Sequence, residues 1–361
     1  MEEKGKKGRM DYTLLLIVVL LVVIGLVILY STSAYNGQVK FHDSFYYLKK
    51  QAFATVLGIV LMLFVAGMDY HIWQRLAVFG YLAAVALSVA VMLFGREING
   101  SKRWLALGPF SFQPSEFAKV ALILFLADLV TKNVKTIGKM WTLCRIMFWI
   151  LPIVGLVGAS NLSTAIIILG IGVILIFVAS PKYAQFALMG LAGACFMGLF
   201  LALESYRLER LAIWRNPEKY EKGYQTLQGL YAIGSGGVFG VGLGNSVQKL
   251  GFVPEAQNDM IFSIICEELG LAGAGIIVFL FLLLIWRFFM IASGSRDLFG
   301  ALIATGAMAH MMIQVILNIA VVTNTIPNTG ITLPFISYGG TSVMFLLIEM
   351  GLVLSVSQVV D

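Results

Sequence analysis

Apolar residues in this chain run in long blocks separated by short polar interruptions. Blocks of membrane-spanning length fall near 12–33, 51–67, 75–94, 115–131, 143–159, 163–179, 185–203, 260–288, 299–322 and 343–360. A helix crossing a bilayer needs roughly 20 such residues. The pattern predicts an all-α polytopic membrane protein with ten transmembrane helices in a single domain, 1–361. The blocks do not alternate apolar with polar, which excludes an outer-membrane barrel. Ser160, Asn161, Ser163 and Thr164 divide what would otherwise read as one segment over 143–179. Connections are short except one: 204–259 is a long loop between the seventh and eighth helices, and loops of that length are usually functional or disordered.

Ten spans place both termini on one side. Lys4, Lys6, Lys7 and Arg9 ahead of the first block argue for the cytoplasm. With those four included, Lys and Arg divide almost evenly between the two sets of connections, 12 on that side and 13 on the other, so the bare count does not decide orientation and the N-terminal cluster does. The first block is long enough to span and no small-residue cleavage site closes it, so the first helix is expected to stay.

Composition sharpens this picture. Hydrophobic residues make up 59% and charged residues 12% of 361 positions, against ~45–50% and ~25% in soluble domains. That much apolar surface must face lipid. The net charge of +6 is spread among membrane segments, which points to membrane lipids rather than nucleic acid. Cys144, Cys195 and Cys266 are isolated, and His42, His71 and His310 are far apart. Neither set makes a disulfide frame or a metal motif.

Polar residues at the mouths of these helices carry the candidate chemistry, because charge at membrane depth is costly and usually functional. Asp259 stands where a polar loop enters the eighth helix, with Glu255 one turn before it and Glu267 and Glu268 two turns deeper. Asp259 is either a helix cap, which Asp does well, or a reactive carboxylate. Glu267 and Glu268 need cationic partners, which Lys119 or the arginines of the long loop could supply. In the second outer loop Lys102, Arg103, Glu116 and Lys119 make a candidate cationic grip around one carboxylate, with Glu116 and Lys119 on one helical face. The long loop places Tyr206, Leu208, Leu211 and Trp214 among Arg207, Arg210 and Arg215, as in an interfacial amphipathic helix. Gly236, Gly240 and Gly244 offer a smooth helical packing face or, if irregular, a phosphate cradle; packing is the preferred reading. The uncharged stretch Asn324 to Ser342, entered past Gln314 and Asn318, suits a re-entrant loop lined by hydroxyls such as that of Ser337.

Several of these stretches occur together and in order: N-G-S-K-R-W with Q-P-S-E-F-A-K, Y-R-L-E-R, G-Y-Q-T-L-Q-G-L-Y-A-I-G-S-G-G, V-P-E-A-Q-N-D-M-I-F with E-E-L-G, and P-N-T-G-I-T-L-P-F-I-S-Y-G-G-T-S. In this the chain resembles the shape, elongation, division and sporulation (SEDS) family of FtsW, RodA and SpoVE, most closely the FtsW/SpoVE branch. It departs from common family patterns at Asn258, Thr341 and Ser160–Thr164. The resemblance implies a peptidoglycan glycosyltransferase in the bacterial cytoplasmic membrane that polymerises lipid II for septal wall synthesis beside a class B penicillin-binding protein. It also implies that Asp259 is the catalytic aspartate and that Glu116 and Lys119 are the family's paired residues in the fourth helix.

The chemistry agrees with that expectation. A sugar hydroxyl attacking an anomeric carbon needs one base, whereas a departing lipid diphosphate needs cations rather than a proton. Arg103, Lys119, Arg207, Arg210 and Lys249 are the candidate diphosphate contacts, with Glu116, Glu268 and Ser337 completing the substrate-binding set. The sequence identifies no cofactor. A divalent cation, Mg2+ or Mn2+, could share the charge, although the sequence has no dedicated metal motif. A lipid II flippase and a non-catalytic division scaffold are the alternative readings.

Overall fold

The computed structural model describes residues 8–98, 101–107, 110–187, 190 and 212–359. Its helices are α1 Tyr12–Phe41, α2 Tyr46–Gly67, α3 His71–Phe94, α4 Pro114–Asn133, α5 Met140–Ser160, α6 Leu162–Ala179, α7 Tyr224–Gly236, α8 Ile261–Gly294, α9 Leu298–Val322 and α10 Gly340–Ser357. Among the described residues, eight helices are long and apolar enough to cross a membrane. They include every expected span except the fourth and seventh. The fourth is α4, a 20-residue helix carrying more charge. The seventh expected span, 185–203, lies largely outside the described residues.

α1 runs past the apolar block by more than a turn and stops where His42 takes a left-handed conformation. Asn161 explains the division of 143–179: it closes α5, and its side chain accepts from the Thr164 amide to open α6. The connection between α3 and α4 is not irregular. Arg96–Ile98, Ser101–Leu107 and Phe110–Phe112 form a three-stranded antiparallel meander, β1-β2-β3. Within 212–260 the described chain contains the helical residues 212–215, α7 and two short 3-10 turns.

α4, α9 and α10 form the core. α4 is buried nearly all round, as a helix without a polar face must be. α2 packs on α10, α3 on α4, and α7 on α8. The outward faces of α1, α2, α3 and α8 carry exposed Phe, Leu, Val and Ile, the surface that lipid covers. The two ends of the chain meet: Gly8 donates to the Gln358 carbonyl at 2.7 Å and Asp11 N–H to Ser357 at 3.1 Å. Asn36, about 37 Å further along α1 at 1.5 Å per residue, donates instead to Gln257. Asp259 therefore sits at the opposite end of the bundle from the termini.

α8 is broken. Gly270 has φ 67° and ψ −170°, a conformation open only to glycine at acceptable cost. Breaking a helix at membrane depth frees backbone groups that must find partners within the protein. Residues 237–242 supply them. Val241 and Gly242 N–H donate to the carbonyls of Glu267 and Glu268 at 2.9 and 3.0 Å, and Leu271 and Ala272 N–H donate to Gly237 and Val238 at 3.0 Å. Gly236 and Gly240 pack closely on α8 while Gly244 faces open space, so the three do not form one helical face. Gly236 ends α7, while Gly240 and Gly244 lie in turns at φ 77° and 88°. A Cβ at Gly240 would stand 2.2 Å from the Glu268 carbonyl oxygen.

Candidate active site

Asp259 does not cap α8. The cap position is Met260, without a side-chain hydrogen bond. The Asp259 side chain is instead buried among segments that converge on it. Asn318 of α9 donates to the Asp259 carbonyl at 2.8 Å and to the Ile331 carbonyl at 2.7 Å. This ties the start of α8 to the 324–339 segment. Ser337 accepts from the Leu333 amide at 2.8 Å and donates to the Asn258 carbonyl at 2.6 Å. Tyr338 N–H donates to the Gln257 carbonyl. Gln51 of α2 anchors the far end of the segment by accepting from Gly339 N–H and donating to the Ser337 carbonyl. The segment is buried from Ile331 to Ser337, apart from half-buried Thr332, so it is non-helical backbone packed inside the protein beneath Asp259.

Burial pushes the Asp259 carboxyl up to about 7 from its ordinary 3.8. The negative charge of Glu255 adds to the rise, while its own amide, Gln225 and the Met260 amide oppose it. A carboxyl poised near neutrality can take a proton and give it up at working pH.

The structure sorts the other expected site residues into three groups. Glu116 and Lys119 form a buried ion pair at 3.0 Å, and Lys119 reaches Gln314 of α9 at 3.2 Å. Gln314 also takes a contact from His310 at 2.9 Å and donates to the Thr332 carbonyl at 3.0 Å. His310 in turn meets Glu349 at 2.8 Å. A continuous buried polar chain thus runs from α10 through α9 to α4, with one branch ending on the segment below Asp259.

Lys249 and Glu268 were expected to face substrate; in the structure they face each other. They pair with each other at 2.6 Å, both buried, with Ser31 of α1 bonded to each. Glu267 accepts from the amides of Val247 and Gln248 and from the Ser246 hydroxyl. Among the described residues both glutamates therefore hold the glycine-rich turns rather than pairing with Lys119. Ser337 is likewise engaged on both sides as a clasp for Asn258, leaving its hydroxyl no free hydrogen to offer a ligand.

Arg103, on β2, donates to the Ser160 carbonyl at 3.0 Å, beside Ser88, Ser115 and Asn161. Lys102 is exposed. The four charges of the second outer loop therefore do not form one grip. Arg207 and Arg210 lie outside the described residues, as does most of the expected amphipathic helix; its end, 212–215, is helical. Among the described residues no three His, Cys, Asp or Glu side chains converge as a metal-holding set.

Sequence reasoning missed Gln225, Asn328, His310 and Glu349. Gln225 and Asn328 belong to the polar stretches already noted, but nothing in their spacing marked them as partners of Asp259. His310 and Gln314 stand four residues apart on α9, with Asn318 four further on. That spacing puts them on one helical face and could have suggested the ladder.

A model of the cell cycle protein family that groups FtsW, RodA and SpoVE matches residues 12–361. The chain belongs to this family. Among FtsW/RodA/SpoVE proteins it is 40% identical to stage V sporulation protein E of Bacillus subtilis, over 98% of each chain. It is 35% identical to a probable peptidoglycan glycosyltransferase FtsW of Trichlorobacter lovleyi, over 96% of this chain and 93% of that one. A chain from a peptidoglycan synthase complex, described as coordinating polymerization and crosslinking, superposes with TM-score 0.83 at 30% identity, covering 96% and 97% of the two chains. The rod shape determining protein RodA of Thermus thermophilus superposes with TM-score 0.71 at 28% identity, covering 96% of each.

Proposed function

We propose that this multi-pass membrane protein polymerises lipid II into glycan strands, with Asp259 as the general base. It is a peptidoglycan glycosyltransferase of the FtsW/RodA/SpoVE family. The observation that carries the assignment of the base is Asp259 itself: a buried carboxyl near neutrality, fixed through its own carbonyl and that of Asn258 by Asn318 and Ser337. In the reaction the acceptor sugar's hydroxyl oxygen bonds to the donor's anomeric carbon as the bond from that carbon to the lipid diphosphate breaks. The hydroxyl proton passes to Asp259, and the electron pair leaves with the diphosphate. That leaving group is already an anion and needs positive charge. Lys119 and Arg103 are the described candidates, together with Arg207 and Arg210. One carboxylate suffices, unlike the opposed pair of a glycosidase.

The site end of the bundle faces outward in this reading. The joined termini, with the basic N-terminal stretch, face the cytoplasm across the cytoplasmic membrane. The partner is a class B penicillin-binding protein that crosslinks the product, and the role is septal wall synthesis. The test uses purified protein, that partner and lipid II in detergent, where translocation has no meaning. Polymer from the wild type and none from a folded Asp259→Ala variant is the expected result. Full activity of that variant would remove Asp259 from the chemistry. Depletion followed by microscopy tests the role: filaments support septal synthesis, and rounded cells oppose it.

A further inference from the structure

Two amide side chains line up on Asp259 in a fixed order. Gly330 N–H donates to Asn328 Oδ1 at 3.0 Å. That contact turns the amino end of Asn328 outward, where it donates to Gln225 Oε1 at 3.1 Å. The Gln225 amino group is thereby turned toward Asp259 and lies 3.4 and 3.5 Å from its two carboxylate oxygens, and 3.3 Å from the Pro254 carbonyl. Neither amide can reverse without facing donor with donor or acceptor with acceptor. Gly330 holds the start of this order at φ 68°. The chain of donors joins three segments that are remote in sequence: α7, the 324–339 segment and the turn before α8.

We infer that Gln225, oriented by Asn328, is a positioning residue that holds the Asp259 carboxylate in its ionised, proton-accepting form. The inference rests on the reading of Asp259 as the base. A carboxylate accepts at both oxygens, whereas a protonated carboxyl must offer one oxygen as a donor, so an amino group aimed at both favours the ionised form. Among the described residues, Glu255 is the charged group acting on Asp259, and it acts in the opposite sense. The partners from α7, α9 and the 324–339 segment are the uncharged Gln225, Asn318 and Asn328. Gln225 therefore offsets part of what burial and Glu255 do, and it does so from α7, an element outside the membrane spans.

The experiment measures kcat and KM for lipid II polymerisation against pH for Gln225→Met, Asn328→Ala and Asn328→Asp, with Asp259→Ala as control. Losing a hydrogen bond to a charged group moves its titration by about one pH unit. Gln225→Met should shift the rising limb up by about that much. It should lower kcat roughly fivefold at pH 7 and recover at higher pH with KM little changed. Asn328→Asp should shift the limb further than Asn328→Ala, because a carboxylate at 328 would draw the Gln225 amino group away from Asp259. A purely structural role would lower the yield or stability of these variants without moving the limb. If Asp259→Ala is inactive and the limb stays at its wild-type position in the Gln225 and Asn328 variants, the inference fails and the base assignment stands. If Asp259→Ala is active, the base assignment itself fails. Should Gln225→Met not fold, the two variants at half-buried Asn328 decide the question alone.

Discussion

Two buried lysine–glutamate pairs stand toward the Asp259 end of the bundle, and they differ in what is left over. In Lys249–Glu268 every strong partner is internal. The lysine bonds Glu268 and Ser31, and the glutamate takes Ser31 and approaches the Ser246 amide. In Lys119–Glu116 the glutamate's buried Oε2 makes no well-formed hydrogen bond, with the Ser342 side chain close enough to act on the carboxylate, and the lysine is shared with Gln314 of the ladder below Asp259. A buried polar atom without a well-formed hydrogen bond calls for a reason, and an incoming ligand is one. Both pairs satisfy the rule that charge at membrane depth marks function. Only their surroundings separate a pair that closes a loop over a broken helix from one with capacity to spare.

The sharpest way to break this comparison is to remove one partner and then both. Glu268→Ala leaves Lys249 buried and alone. It should cost about 3–5 kcal/mol in thermal unfolding in detergent, while Lys249→Met with Glu268→Leu should regain most of the stability and the polymerase activity. Lys119→Met with Glu116→Leu should regain stability but not polymerisation. Equal activity in the two double variants would erase the distinction. Next in size, Gly240→Ala and Gly270→Ala force a side chain into left-handed backbone and against carbonyl oxygens of the paired segment, 2.2 and 2.4 Å from the new Cβ. Each should cost about 3 kcal/mol in the same assay.

A pH test follows. The Asp259 carboxyl titrates near 7 when folded and near 3.8 when unfolded, so between those values the folded state binds more protons and stability falls as pH rises. Asp259→Asn should therefore match the wild type near pH 4 and exceed its melting temperature increasingly up to about pH 8. The smallest effect is at the clasp. Ser337→Ala removes the bond to the Asn258 carbonyl and should cost about 1 kcal/mol, with a larger relative loss in kcat as the turn before Asp259 loosens.

The hydrophobic blocks were enough to place nine helices, although α1 and α8 run on past their blocks by more than a turn, because a membrane span is fixed by continuous apolarity that the sequence displays directly. The break at Gly270 was not legible. E-E-L-G-L-A-G reads as an ordinary helix with small residues, and the break becomes tolerable only because residues 237–242 arrive to pair with it. The meander at 96–112 was missed for a similar reason: Asn99-Gly100 signalled a turn, but pairing depends on strands too short to show a pattern. Asp259 could be picked from its place at a helix mouth. Its partners could not, because Gln225, Asn318 and Asn328 are uncharged and come from segments up to about a hundred residues apart in sequence. The fate of Lys249 and Glu268 was hidden in the same way: a charge announces itself, but its partner does not.

The account depends most on Asp259 working as a base, and the rate of lipid II polymerisation against pH tests that directly. With saturating substrate and the partner transpeptidase present, the wild type should show a rate that climbs as the carboxyl loses its proton, with a midpoint near pH 7. A folded Asp259→Asn variant should show no such limb and little activity. A wild-type rate that stays level from pH 5.5 to pH 8.5 (about three units spanning the titration), or an Asp259→Asn variant that keeps the limb, would contradict it.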